Sequence, residues 1–384
     1  MSASTGQEET HNIVTARTAV SLAALTTLQL GGPANVIDAD NDRDFRDIVE
    51  LVKPWASPPV CLGWGSNVLV ADRGTDLPVL LMRTTGISAR NQDDQVLLTV
   101  QAGHSLPDLV DYCRAENLIG IETLAGVPGT VGAMPIQNVG AYGQETADTL
   151  TEVVAWDWQT QQQVTLTAAD CALGHRTSRF KRSHRWSILQ VTFALTRSHL
   201  SAPITYRELA TALDVPLDSR LPLTDIADAV IAVRRRKGMV LDPSDPDNRS
   251  AGSIFLGPVI DAHQAETLQR KGGSPHTYND GHTRIGSSWL LRAAGYELGQ
   301  EITPGVRVSS KHHTLVADTG ATAAGFAAAS STLRAHVHQA TGITLTFEPD
   351  LIGHEPAYTE LTQPLTTTNP TSPHAFPDRS KAVS

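Results

Sequence analysis

Hydrophobic residues recur along the chain with two periods, and each period predicts its own kind of element. Phe45, Ile48, Val49 and Val52 follow an i, i+3, i+4, i+7 spacing that predicts an amphipathic helix over about 42–55, ended by Pro54 and by Pro58-Pro59. Leu106, Leu109, Val110 and Cys113 stripe a second helix over 105–117, with Ser105 as its cap, Pro107 in its first turn and Asp108 in a capping-box-like position. A third, over 224–237, turns Ile226, Ala229, Val230 and Val233 inward and closes on Arg234-Arg235-Arg236-Lys237 before Gly238. Cations suit the negative end of a helix dipole and glycine suits the position beyond it, which explains some of those four charges but not all. Helices are also predicted at 287–296 and over the Ala-rich 322–341, the latter with Phe326, Leu333 and Val337 inward. Alternating or short apolar runs predict strands at 79–82, 96–100, 152–158, 188–195, 311–318 and 343–348. Residues 60–70 read as two strands around the tight loop Gly63-Trp64-Gly65-Ser66-Asn67.

The two ends lack this patterning. Residues 1–12 are polar and acidic, and 355–384 hold five prolines and nine serines or threonines, so both are expected to be disordered. The 384 residues leave room for two or three domains. With 40 acidic against 30 basic side chains the net charge is -10, which argues against a nucleic-acid partner. No apolar run approaches the roughly 20 residues of a membrane span, and the N-terminus lacks signal-peptide features. Cys61, Cys113 and Cys171 are well separated, with no CxxC spacing for a disulfide framework or metal site. A cytoplasmic protein without membrane contact or metal is expected.

Two stretches carry candidate chemistry. Residues 124–143, LAGVPGTVGAMPIQNVGAYG, contain no charge, several glycines, two prolines and the polar side chains Gln137, Asn138 and Tyr142. They can be a buried connection or a loop whose backbone lies against a cofactor. The 63–67 loop fails the dinucleotide fingerprint, because Val68 stands at the third glycine position and a strand follows instead of a helix. What it offers is a nest of amides suited to phosphate oxygens, or simply a hairpin. Between two predicted strands, GHRTSRFKRSHR at 174–185 gathers Arg176, Arg179, Lys181, Arg182 and Arg185 with His175 and His184. In an acidic protein this is either a solvated loop or an anion site.

Taken in order, TTLQLGGPA (26–34), LGWGSNVLVAD (62–72), AGVPGTVGAMPIQNVGAYG (125–143), HRTSRFK (175–181), AGSIFLGPV (251–259) and FEPDLIG (347–353) resemble the UDP-N-acetylenolpyruvoylglucosamine reductase family of bacterial peptidoglycan synthesis. The resemblance spans about residues 13–353. It implies an α+β chain: an FAD-binding fold of two subdomains of the vanillyl-alcohol-oxidase (PCMH) type, at 13–83 and 84–233, and a C-terminal α+β substrate domain at 234–346. A return segment at 347–354 would carry a catalytic glutamate. Noncovalent FAD would be held by Gly63, Trp64, Gly65, Ser66 and Asn67, by Gly126, Pro128 and Gly129, and by Gln137, Asn138, Ala141, Tyr142 and Gly143. NADPH would reduce the flavin, leave, and be replaced in the same cleft by UDP-N-acetylglucosamine enolpyruvate. The enzyme would act as a monomer.

The resemblance assigns catalysis to Arg176, Ser253 and Glu348. Hydride addition to the enol ether's terminal carbon leaves carbanion charge beside a carboxylate, so a cation and a hydrogen-bond donor are needed there. Ser253 stands at the family's proton-donor position. Lys237 matches a lysine at the substrate diphosphate, Tyr206 a substrate-site tyrosine, and His313 a substrate-contacting glutamine. The sequence departs from the family at His175, usually tyrosine, and at Ile254 and Gly257, usually phenylalanine and asparagine. Loss of that asparagine removes a polar contact worth about 1–3 kcal/mol. Two other readings stay open: an FAD oxidase of the same fold, acting on a sugar or alcohol, and a weakened paralogue that binds a nucleotide sugar.

Overall fold

The computed structural model describes residues 16–41, 44–278 and 280–365. Residues 1–12 and those beyond 365, both expected to be disordered, lie outside the described residues. The early apolar runs build a four-stranded sheet in the order Arg17–Ser21, Pro33–Ala39, Val79–Met82, Val60–Leu62. The first pair is antiparallel and the others are parallel. Val79–Met82 is buried at every position, as a parallel strand covered on both faces must be. Helix Phe45–Val52 begins where Asp44 accepts a hydrogen bond from the Arg46 amide at 2.9 Å, and it buries Ile48, Val49 and Val52.

The second unit is an antiparallel sheet in the order Gln162–Thr167, Leu150–Asp157, Trp186–Arg197, Gln95–Gln101, Ile87–Gln92. Its core takes in Val191, Phe193 and Leu195, the inward half of the predicted alternation, together with Ile37 and Ile48 of the first unit. The two units therefore share one hydrophobic core. Ser105 caps helix Leu106–Ala115 by accepting from the Asp108 amide at 3.3 Å. Helix Leu223–Arg236 buries Ile226, Ala227, Val230 and Val233; Ala227 takes the inward position predicted for Ala229.

The third unit packs helix Ala323–Thr341 on the antiparallel strands Glu301–Thr303, Val306–Val308 and Leu315–Ala317. Three expectations need correction here. The strand predicted at 311–318 is only Leu315–Ala317. Residues 343–348 alternate in burial, with Ile343, Leu345 and Phe347 inside, yet they have no partner strand beyond a single bridge from Phe347 to Phe255. The tail is ordered past 354: Ala357–Thr362 is a helix, with Tyr358 and Leu361 buried, the Tyr358 hydroxyl donating to the Leu69 carbonyl at 3.1 Å, and Arg334 donating to the Glu360 and Gln363 carbonyls.

Between these last segments the chain returns to the first unit. Asp350–Ile352 pairs in parallel with Val68–Val70, in register Asp350 to Val68. Asp72, just beyond that strand, accepts from the Ala323 and Ala324 amides at 2.7 and 3.0 Å and so caps the long helix of the third unit. No helix among the described residues is long and apolar enough to cross a membrane.

Candidate active site

A cleft of about 300 Å³ opens where the three units meet, lined by the 63–67 loop, parts of 127–141, residues 250–253, and Arg176, Lys181, Arg234 and Glu348. Its first wall follows from strand geometry. The strands flanking the 63–67 loop do not form a hairpin, since Val60–Leu62 pairs with Val79–Met82 while Val68–Val70 pairs with the return strand. The loop is thereby held open between two sheets. Gly65 sits at φ +59, and a Cβ there would come within 2.3 Å of the Leu25 carbonyl; one on Gly63 would come equally close to Thr130 Oγ1. The motif around Thr26 buttresses this loop: the Thr27 amide donates to Gly65 O at 3.1 Å, and its hydroxyl donates to Ser250 O at 2.6 Å. Among the described residues, the amides of Trp64, Gly65, Ser66 and Asn67 have no protein acceptor.

The glycine-rich stretch forms the second wall, and one side chain ties it to everything around it. Gln137 Oε1 accepts from Asn67 Nδ2 and, at 3.0 Å, from Lys181 Nζ, while its Nε2 donates to Glu348 Oε1 at 3.3 Å. Four of the sequence motifs thus meet on one amide. Ser66 Oγ donates to Pro128 O at 3.0 Å, joining the two walls again. Pro128, Gly129, Gln137 and Ala141 line the cleft. Asn138 does not. It is fully buried, donating to Gly174 O at 3.1 Å and accepting from the Ala147 amide at 2.8 Å, so its side chain joins the stretch to the basic segment. Gly126, Tyr142 and Gly143 also lie outside the lining, Gly126 behind it against Ile231 and Arg234, the other two toward Tyr206.

The three candidate catalytic residues do converge. Ser253 and Glu348 are brought together by backbone pairing: the Glu348 amide donates to Ile254 O at 2.9 Å, and Phe255 bridges Phe347. Ser253 is exposed in the cleft, and its hydroxyl bonds to no described residue. Arg176 stands at φ +53, a conformation that costs an arginine on the order of 1–3 kcal/mol. It is pinned by hydrogen bonds to Asn138 O at 3.1 Å and Gly140 O at 2.6 Å, with Nε 4.0 Å from Glu348 Oε1. Burial pushes the Glu348 carboxyl above the usual range, against the opposing pull of Arg176, Lys181 and the Gln137 hydrogen bond. Lys181, which carried no assigned role, is nearly buried; it pairs with Asp350 at 3.1 Å and donates to the Glu348 carbonyl at 3.2 Å. Its signal lay in the basic segment and in the Asp350 that follows Glu348 by two positions.

Outside the lining, Tyr206 packs edge-on against Tyr142, ring centroids 5.6 Å apart, and Lys237 lies 5.9 Å over the Tyr142 ring while pairing with Glu208 at 2.7 Å. His313 points elsewhere, its Nε2 3.1 Å from the Tyr296 carbonyl inside the third unit. Its neighbour His312 is the imidazole near Lys237, Glu208 and His313, held down at about 4 by burial and the adjacent cations. The departures at 175, 254 and 257 also find their places. Burial, then Arg284 and Arg176, hold His175 at about 4, so it is neutral at physiological pH and packs on Tyr278 at 5.3 Å. Ile254 is buried in the third core. A Cβ at Gly257 would sit 3.0 Å from the Ile285 carbonyl, and the residue is absent from the cleft lining.

This cleft suits a flavin dinucleotide. Unbonded loop amides and glycine backbone can receive phosphate oxygens and a flat ring, and charged side chains gather around Glu348. Comparison with known proteins points the same way. Residues 33–165 match the model of an FAD binding domain, and residues 243–352 match that of the UDP-N-acetylenolpyruvoylglucosamine reductase C-terminal domain. The UDP-N-acetylenolpyruvoylglucosamine reductase of Thermobifida fusca is 42% identical over 346 residues, covering 87% of this chain and 97% of its own. That of Streptomyces avermitilis is 40% identical over 347 residues, covering 87% and 94%. The crystal structure of the Thermus caldophilus reductase shares the fold, with a TM-score of 0.58 at 22% identity over 88% of this chain and all of that one. The chain belongs to the UDP-N-acetylenolpyruvoylglucosamine reductase family, α+β flavoproteins with FAD as cofactor.

Proposed function

We propose that this family member reduces UDP-N-acetylglucosamine enolpyruvate to UDP-N-acetylmuramate in peptidoglycan synthesis, with NADPH as electron source. The observation that carries the reading is the convergence of Arg176, Glu348 and an unbonded Ser253 hydroxyl on one wall of the FAD cleft. FAD binding falls to 13–83 and 84–233, substrate binding to 234–346 with Lys237 and, from the second unit, Tyr206, and Glu348 arrives on 347–354; His313, bonded to the Tyr296 carbonyl, would have to turn to reach a substrate. The reading includes a monomeric state, and the nucleotide substrates support a cytoplasmic location.

Bound FAD supplies the hydride carrier between NADPH and the enol ether. The chain's own groups handle the charge that follows. Addition at the terminal carbon moves an electron pair onto the adjacent carbon and its carboxylate, where the fixed Arg176 charge is already in place. Burial raises the Glu348 pKa, so its carboxyl gives up a proton less readily than a free one where it faces that carboxylate. Ser253 then gives its proton to the carbon beside the carboxylate, driven by the basicity of the developing carbanion.

Stopped-flow spectroscopy separates the two half-reactions. Ser253→Ala should leave flavin reduction by NADPH within about 3-fold of wild type and slow reoxidation by the enolpyruvyl substrate by roughly 100-fold or more. Equal damage to both halves would remove Ser253 from the proton-donor role. If NADPH leaves the bound flavin oxidised in the wild type, the whole reading is lost.

A further inference from the structure

Lys181 lines the cleft, yet its charge faces protein groups. The side chain is only 8% exposed, and three oxygens surround Nζ: Gln137 Oε1 at 3.0 Å, the Glu348 carbonyl at 3.2 Å and Asp350 Oδ1 at 3.1 Å. An ammonium has three N–H groups and no acceptor, so these partners match its whole capacity. Such a lysine cannot also hold an anion in the cleft without giving up one of them. Its effect on the reaction has to pass through the groups it touches.

The contact with Gln137 decides how. A side-chain amide can face a neighbour with either end, and Asn67, itself an amide, can serve Gln137 in both orientations. Lys181 cannot. It only donates, so it keeps Oε1 on its own side and turns Nε2 toward Glu348 Oε1, 3.3 Å away. The flipped amide would set its carbonyl against that carboxyl oxygen and its NH2 against the ammonium. Docking of the return segment has other supports: Asp350–Ile352 pairs with Val68–Val70, the Asp350 amide donates to Asn67 O at 3.0 Å, and Arg182 donates to the Phe347 carbonyl at 3.1 Å. Loss of the lysine therefore leaves Glu348 delivered to the cleft but frees the amide that steers its carboxyl. We propose that Lys181 is a positioning residue for reduction of the enol ether, locking the Gln137 amide so that its NH2 holds the Glu348 carboxyl beside Arg176. The proposal rests on the reading of Glu348 as a catalytic group. The charges that face Glu348 are Arg176 and Lys181 of the basic segment and Asp350 of its own strand, so removing the lysine cation also moves the carboxyl's ionisation to higher pH.

The test uses purified holoenzyme at saturating FAD and compares Lys181→Met, Lys181→Arg, Gln137→Met and the Lys181→Met/Gln137→Met double variant. Stopped-flow spectroscopy gives both half-reactions across pH, with the Kd of the enolpyruvyl substrate and FAD release measured beside them. Lys181→Met should leave that Kd, FAD release and flavin reduction by NADPH within about 3-fold of wild type. It should slow flavin reoxidation at saturating substrate by about 10- to 100-fold and shift the pH–rate profile of that step to higher pH. Lys181→Arg, which also only donates, should recover most of the rate. In the Gln137→Met background the lysine change should cost less than about 2-fold more, because the amide it orients is gone. Thermal melting identifies a variant that fails to fold, and adding Asp350→Asn to Lys181→Met removes the stranded charge and keeps the comparison available. A weakened Kd or faster FAD release with the reoxidation rate unchanged would make Lys181 a ligand-holding group and overturn the proposal. Full additivity with Gln137→Met, or a slower rate with an unmoved pH profile, would overturn it as well. Wild-type flavin that NADPH does not reduce would fail the functional reading itself, before any variant is compared.

Discussion

The two sides of the basic segment 174–185 do different work with the same residue types. On the inward side, Arg176 and Lys181 bond to the glycine-rich stretch and surround Glu348. On the outward side, Arg179 and Arg185 lie over the Trp186 ring, at 5.3 and 4.5 Å, and Arg185 forks onto the buried Asp157 at 2.8 and 2.7 Å. The sorting comes from the backbone. Gly174 and Thr177 close a tight turn, and Arg176 and Arg182 both hold left-handed φ values, so neighbouring side chains leave in different directions. A charge count over the segment mixes a reaction site with the edge of a sheet.

The contrast can be tested from its strongest member down. Arg176→Gln should slow flavin reoxidation by the enolpyruvyl substrate by about 100- to 1,000-fold while the protein keeps its FAD; stopped-flow rates and the flavin spectrum read both. Lys181→Met leaves Asp350 with only the longer pairing to Arg182 at 3.8 Å, so it should cost about 1–2 kcal/mol in urea unfolding as well as activity. A stable, inactive Lys181→Met would place the lysine's importance in the chemistry alone. Glu348→Gln separates the two properties in the opposite direction. The folded pKa lies above the unfolded one, so wild type loses stability as pH rises from the unfolded value through the folded one. The variant should therefore melt higher than wild type at pH 8, match it below pH 4, and be inactive throughout. The smallest effect belongs to the outward side. The Arg185 fork holds Asp157 down at about 2, so its contribution is present above about pH 4 and fades toward pH 2. Asp157→Asn should flatten the acid limb of the melting curve and leave turnover unchanged.

Much of this arrangement could be read from the chain itself, and the gaps have physical causes. Helices with a full apolar stripe and a cap, such as Leu106–Ala115, were legible because local periodicity determines them. The alternation at 343–348 misled because burial every second residue requires packing, not a partner strand. Tyr358 and Leu361 escaped notice because two apolar residues among prolines and threonines carry little signal until Leu69 and Arg334 are seen waiting for them. At the site, the motifs located Arg176, Ser253 and Glu348, but spacing could not show that Asn138 turns inward or that His313 points at Tyr296. Both directions depend on residues distant in sequence.

The parallel pairing of Asp350–Ile352 with Val68–Val70 has a consequence for how the protein is made. The strand that carries Glu348 to the cleft follows the entire third unit in the chain, so this contact closes one of the longest loops among the described residues. Closing a long loop late is entropically costly and slow. The two units that share a core can condense while the nascent chain is still emerging, but the wall containing Glu348 forms only afterwards. The reactive side of the cleft is thus the last part of the site that synthesis supplies.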